Sequence, residues 1–263
     1  MSFLANFTRR FKICTLLLSL EIVLFADSST NVCIEDCYIV TGDDLVSIKS
    51  GWDEYGISYA RPSSKIKINR LTGQTTSSSG IAIGSEMSGG VSEIYIKDLH
   101  LFNSNTGIRI KTSAGRGGYV RNVHILNVKL DNVKKAIRFT GKYGEHPDEK
   151  YDPKALPAIE KITFENVNGD GIGVAGLLEG IEGDVFKNIC FLNVTLRVKK
   201  NSKKSPWECS NVRGYSQWVS PEITCDSLKE SIFPEHGSDC FGLSENNMEI
   251  SSGLSRSPWL LSW

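Results

Sequence analysis

What the chain lacks narrows its class before any motif is considered. It has no net charge, since 30 Lys and Arg balance 30 Asp and Glu. Any grip on a polyanion must therefore come from a local patch, and nucleic acid is not an expected partner. Its seven cysteines include no Cys-x-x-Cys pair and no His/Cys cluster. That argues against a structural zinc, and no metal or cofactor is expected. After residue 26 no stretch shows a convincing helical period of apolar residues, so helices are not expected to build the core. The one continuous hydrophobic run, residues 13–25, is short and carries Glu21 inside it. It is a poor transmembrane helix, and no stable membrane insertion is expected.

That run has a different reading. Arg9, Arg10 and Lys12 precede it as a basic region, and Ala26 stands at a possible cleavage point, although Leu24 is a poor residue two positions earlier. Residues 1–26 thus read as a secretory leader. Six of the seven cysteines follow it, which suits an oxidising compartment. Secretion and a monomer are the expectations.

What is present is a repeat. Short alternating runs centre on Val32, Ile66, Ile94, Val123, Ile162 and Ile189, with gaps of 34, 28, 29, 39 and 27 residues. Several of these runs are followed by a second apolar pair, as in Asp98-Leu-His-Leu and Asn127-Val-Lys-Leu. Period-two alternation indicates strands. Recurrence in the high twenties, with insertions, indicates coils of a solenoid. An all-β parallel β-helix follows over residues 27–225. A β-sandwich is the rival, but it would show turns every 8–12 residues and less self-similarity. Two long insertions interrupt the repeat, one with Trp52 and Tyr55, the other running from Gly141 to Pro157. The two aromatics suit either stacking on sugar rings or buried packing.

Three stretches carry candidate chemistry. Residues 39–49 read as strand, tight turn, strand, with Asp43 and Asp44 behind Gly42. Paired carboxylates serve glycoside hydrolysis as acid and base, although Gly and Asp also simply make turns. Residues 80–90 form an apolar strand opening into a Gly-rich turn. In Gly107-Ile-Arg-Ile-Lys-Thr, alternation puts Arg109 and Lys111 on one side of a strand. Arg clasps a carboxylate with two hydrogen bonds and Lys adds a point charge. Carboxylates and cations at coil spacing along one groove suit an acidic sugar polymer.

The order Gly-Asp-Asp, Gly-Ile-Ala-Ile-Gly-Ser-Glu-Met-Ser-Gly-Gly, Arg-Ile-Lys resembles glycoside hydrolase family 28, the polygalacturonases and their relatives. The resemblance spans about residues 27–225 and looks like the plant branch. It implies a right-handed parallel β-helix, secreted to the cell wall, acting on pectic galacturonan by an inverting mechanism without a metal. By the same resemblance Asp43 is the general acid, Asp44 helps activate water, and Arg109 and Lys111 bind the galacturonate carboxylate. The Cys-bearing end resembles the family's too. It favours a Cys209–Cys225 disulfide, with Cys33–Cys37 as a local second, although connectivity stays open.

Two departures stand out. The family's Asn-Thr-Asp motif, due near residues 20–22, is missing, and Ser79 stands where a His precedes the glycine. The N-terminal coils are missing as well. Weak or no activity is the expectation for a chain read as truncated, and a non-catalytic wall protein binding acidic polysaccharide is the alternative. A calcium-dependent lyase is disfavoured by the lack of an acidic calcium cluster. Asn193-Val-Thr is a glycosylation acceptor. Residues 226–263 lose the pattern and read as a poorly ordered tail.

Overall fold

The computed structural model describes residues 9–19, 24–200 and 205–228. Fifteen strands alternate along the described chain between two sheets. In chain order they are β1 (Arg9–Ser19), β2 (Leu24–Asp27), β3 (Thr30–Thr41), β4 (Val46–Lys49) and β5 (Ser63–Thr75). Next come β6 (Ser79–Ile83), β7 (Val91–Phe102), β8 (Thr106–Lys111), β9 (Tyr119–Asp131) and β10 (Lys135–Thr140). The last are β11 (Ala158–Ile172), β12 (Val174–Glu179), β13 (Phe186–Val198), β14 (Trp207–Ser210) and β15 (Val212–Ser220). The odd strands stack in order as an eight-stranded sheet and the even ones as a seven-stranded sheet, every named pairing parallel. This is the parallel β-helix that the repeat predicts.

The repeat markers are in register. Val32, Ile66, Ile94, Val123, Ile162 and Ile189 pair one above the next through the long sheet. All are buried. The unequal gaps in sequence are therefore insertions between coils of equal height. Two residues along, Ile34, Ile68, Ile96, Ile125, Phe164 and Phe191 form a parallel stack, ending in rings 5.2 Å apart. From the short sheet Val46, Ile81, Ile108 and Ile137 face them, then Gly176 and Trp207. A Cβ on Gly176 would lie 2.2 Å from the Trp207 ring, so the glycine leaves the room that the indole fills.

Each long strand bends at a left-handed corner. Asp36, Arg70, Asp98, Asn127, Asn166 and Asn193 all have φ between 52° and 56°. Asn and Asp tolerate that region better than other non-glycine residues. Their amides bond up the stack: Asn127 donates to Asp98 (3.0 Å), Asn166 to Asn127 (3.2 Å) and Asn193 to Asn166 (2.7 Å). Asn193, the candidate glycan acceptor, is thus an exposed rung of this ladder.

Three findings bear on the sequence expectations. Residues 9–19, inside the stretch read as a leader, form β1 alongside β3. One short helix exists, α1 (Asp53–Tyr59), in the first insertion. Among the described residues no helix is long and apolar enough to cross a membrane. The Cys209–Cys225 disulfide is formed, with Cα atoms 6.0 Å apart. The Cys33–Cys37 bridge is not: Cys33 is a buried thiol, whereas Cys37 and Cys190 are disulfide-bonded. Four residues along a strand span about 13 Å, beyond the ~7 Å Cα limit for a disulfide. Cys240, with the rest of the stretch read as a tail beyond Leu228, lies outside the described residues.

Candidate active site

The turn from β3 into β4 sets the two carboxylates apart. The Asp43 N–H donates to Thr41 Oγ1 (3.2 Å), and Asp43 Oδ1 accepts from the Asp44 N–H (2.7 Å). Asp bonding the backbone in this way is a usual turn device. Here it leaves Asp43 half-buried and Asp44 fully buried.

Asp44 accepts four hydrogen bonds. Its Oδ1 takes Ser78 Oγ (2.6 Å) and the Ser79 N–H (2.8 Å), and its Oδ2 takes Ser47 Oγ (3.2 Å) and Lys111 Nζ (3.0 Å). Burial by itself would raise its pKa. The Lys111 charge and the bonds from Ser78, Lys111 and Ser79 outweigh burial and hold it below the ordinary carboxylate value. Asp44 is a fixed anion.

Strand β8 brings the predicted cations to the same place. Lys111 is spent on Asp44. Arg109, half-buried, makes no ion pair among the described residues, and its Nε is buried without a partner. Burial and the neighbouring Arg138 both lower its pKa, but a guanidinium keeps its proton in any protein. A cation without an anion beside it is ready to take one. Gly84, in the turn after β6, makes this packing possible. Its φ is +85°, and a Cβ there would lie 2.2 Å from the Lys111 carbonyl oxygen.

Sequence reasoning missed Tyr143. Its ring centroid sits 5.4 Å from Arg109 Cζ and 5.7 Å from Lys111 Nζ, roofing both cations. Its backbone N–H donates to the Thr112 carbonyl (3.0 Å). Burial, then the Glu145 charge, pushes its hydroxyl pKa up. Tyr143 belongs to the second insertion, and its only signal was the aromatic in Gly141-Lys-Tyr-Gly.

A buried cluster ties the two insertions together. Arg116, fully buried, donates to Asp53 Oδ1 and to the Glu145 carbonyl (2.5 Å), and its guanidinium lies 5.7 Å from the Trp52 ring. His146 Nδ1 meets the other Asp53 oxygen at 2.6 Å, and its ring stacks on Tyr151 at 3.6 Å. Trp52 thus packs rather than standing open. Tyr55 is exposed and donates to Asp148 (2.6 Å), which pushes its phenol pKa up to about 12.

The site therefore joins Asp44, Lys111 and Arg109 as predicted, with Asp43 bonded to the Asp44 backbone. Ser79, where a His was expected, gives only its backbone N–H to Asp44, and its hydroxyl is buried without a partner. The expected third carboxylate, near residues 20–22, lies outside the described residues. Among the described residues no three His, Cys, Asp or Glu side chains gather to hold a metal.

Comparison with known proteins gives a consistent picture. The family model for glycosyl hydrolases family 28 matches residues 25–225. A probable polygalacturonase of Vitis vinifera is 46% identical over 214 residues, covering 81% of this chain and 43% of that protein. An endo-polygalacturonase of Pectobacterium carotovorum subsp. carotovorum is 31% identical over 185 residues, covering 70% of this chain and 41% of its own. Among solved structures, a hyperthermoactive exopolygalacturonase from Thermotoga maritima superposes with a TM-score of 0.67 at 28% identity, over 78% of this chain and 43% of that one. The polygalacturonase of Erwinia carotovora gives 0.58 at 27% identity, over 73% and 46%. The chain spans less than half the length of these relatives.

Proposed function

The chain belongs to glycosyl hydrolase family 28, and from that membership we propose that it is a pectin-acting glycosidase that hydrolyses α-1,4-galacturonosyl linkages with inversion. The observation that carries this reading is Arg109. It is a half-buried guanidinium with no carboxylate partner, beside the Asp44–Lys111 pair and under the Tyr143 ring. A galacturonate carboxylate supplies the missing anion, held by two parallel hydrogen bonds. That contact positions the sugar, and Tyr143 closes over it.

Asp43 then protonates the leaving oxygen, being the half-buried member of the pair. Asp44, fixed as an anion, orients the attacking water and stabilises positive charge developing on the sugar ring. With no further carboxylate described on that side, water activation rests on Asp44, so turnover is weak. The protein is secreted, works in the cell wall and is a monomer.

One observation favours the alternative, a wall protein that binds acidic polysaccharide without cutting it. Asp44 is completely buried and already accepts four hydrogen bonds, which leaves little capacity to take a proton from water. Reducing-sugar release from polygalacturonate separates the two. Asp43→Asn abolishes release if the chain is a hydrolase. No release by either protein, with binding lost in Arg109→Ala, identifies the binder.

A further inference from the structure

We propose that the groove carries a subsite for an uncharged sugar unit beyond Arg109 and Lys111; this rests on the carbohydrate-binding reading above. The outward columns of the short sheet form the groove floor, and their charge changes along it. Ser47, Ala82, Arg109, Arg138, Leu177 and Glu208 stack in register in one column. Lys111, Thr140, Glu179 and Ser210 stack in the next. The cations stand at β8 and β10, the carboxylates at β12 and β14. With strands about 4.8 Å apart, Glu208 lies roughly 14 Å along the groove from Arg109.

At that end is an open cavity of about 380 Å³, lined by Arg138, Leu177, Glu179, Glu208 and Ser210 over a base containing the Cys209 disulfide. Its polar groups are not used up. Glu208 and Arg138 have no hydrogen bond or ion pair among the described residues. Glu179 pairs with Lys142 at the rim (3.2 Å), and both are exposed enough to part.

The donor and acceptor inventory selects the ligand. An ionised carboxylate only accepts hydrogen bonds and a guanidinium only donates them. A hydroxyl does both, so a polyhydroxylated unit satisfies Glu208, Glu179 and Arg138 together. A unit carrying its own carboxylate serves Arg138 alone and stands against two like charges. A cation is opposed by Arg138 in the same wall. Half-buried Leu177 offers an apolar spot for the C–H face of a sugar ring. The groove thus takes a uronate at Arg109 and an uncharged unit about three strands further on. Such a unit is either a neutral sugar or a methyl-esterified uronate.

Calorimetric titration of the purified full chain tests this with three oligomers of equal length: unesterified oligogalacturonate, partly methyl-esterified oligogalacturonate, and galacturonate alternating with a neutral sugar. Like charges juxtaposed in a binding site weaken association. The uncharged-unit oligomers should bind about fivefold more tightly than the unesterified one, as expected for an exposed like-charge contact. Glu208→Gln, an exposed change that leaves the fold alone, should bring the ratio to within about twofold, as removing the charge demands. Preference for only one of the two uncharged sources names that source. Equal or tighter binding of the unesterified oligomer, unchanged by Glu208→Gln, overturns the subsite while leaving Arg109 as the uronate contact. No binding of any oligomer, with Arg109→Ala indistinguishable from the parent chain, overturns both readings.

Discussion

At the scale of single residues, the Asp44–Lys111 pair decides most. Both groups are out of water, with side-chain exposures of 0% and 10%. Removing one partner of a buried pair strands the other charge, at a cost of about 3–5 kcal/mol. Lys111→Met should lower unfolding stability in urea by that order at neutral pH, and the Asp44→Asn/Lys111→Met double variant should regain most of it. A loss in the single variant under about 1 kcal/mol, the range of exposed pairs, would mean that water reaches Asp44. The acid side follows from the direction of the shift. The folded pKa of Asp44 lies below its unfolded value of 3.8, so the stabilisation is complete above that value and disappears as pH falls through the folded one. Thermal unfolding below about pH 4 should therefore fall less steeply in Asp44→Asn. At this scale much was legible. Alternation alone put Arg109 and Lys111 on one face, and the Gly-Asp-Asp turn marked the carboxylates. The burial of Asp44 was not legible, because it depends on Ser78 and Ser79 arriving from the next coil, 34 and 35 residues later.

Elements tell a different story for strands and for insertions. Strands announce themselves through alternation, and their corners through recurrent Asn and Asp. The spacing from Asn127 to Asn166 to Asn193 repeats the 39- and 27-residue gaps of the core markers, so the ladder could have been found in the sequence. The insertions could not, since their contacts are long-range. α1 is only seven residues, too short to form by local propensity. Its first residue, Asp53, is held by Arg116 from a turn 63 residues on, and His146 joins from 93 residues away. The roof over Arg109 and Lys111 depends on that knot, because Glu145 and His146 sit two and three residues after Tyr143. Arg116→Met should leave Asp53 charged and alone, destabilising by about 3–5 kcal/mol. It should also expose Lys142, Lys150 and Lys154 to trypsin before the strands are cut. His146→Ala keeps the Asp53–Arg116 pair and should be cut more slowly than Arg116→Met. Equal cutting of both variants would place the hold on the insertion in His146 and Tyr151 instead.

On the scale of the whole molecule, stability is one-dimensional: each coil rests on its neighbours, so end coils are exposed to fraying unless covered. The period made the architecture legible early, since buried residues at near-constant height recur whatever the insertions do. What the period could not reveal is how the far end is finished. There, Trp207 enters the space left by Gly176, and its Nε1 donates to the Pro221 carbonyl (2.9 Å). Ile223 and Leu228 are buried against the core, and Ser216 donates to the Leu228 carbonyl (2.5 Å). The Cys209–Cys225 disulfide fastens this segment to β14 with 16 residues between its ends. A loop of that length is worth about 3 kcal/mol of restricted unfolded-chain freedom. Because contacts run only between neighbours, losing the bridge should not be felt evenly. Cys209→Ser/Cys225→Ser should speed amide exchange in β14 and β15 by about two orders of magnitude, as 3 kcal/mol of local opening implies. Exchange in β7 and β9, several coils away, should be unchanged. Uniform acceleration through all coils would show instead that the solenoid opens as one cooperative unit, and that the end segment holds every coil equally.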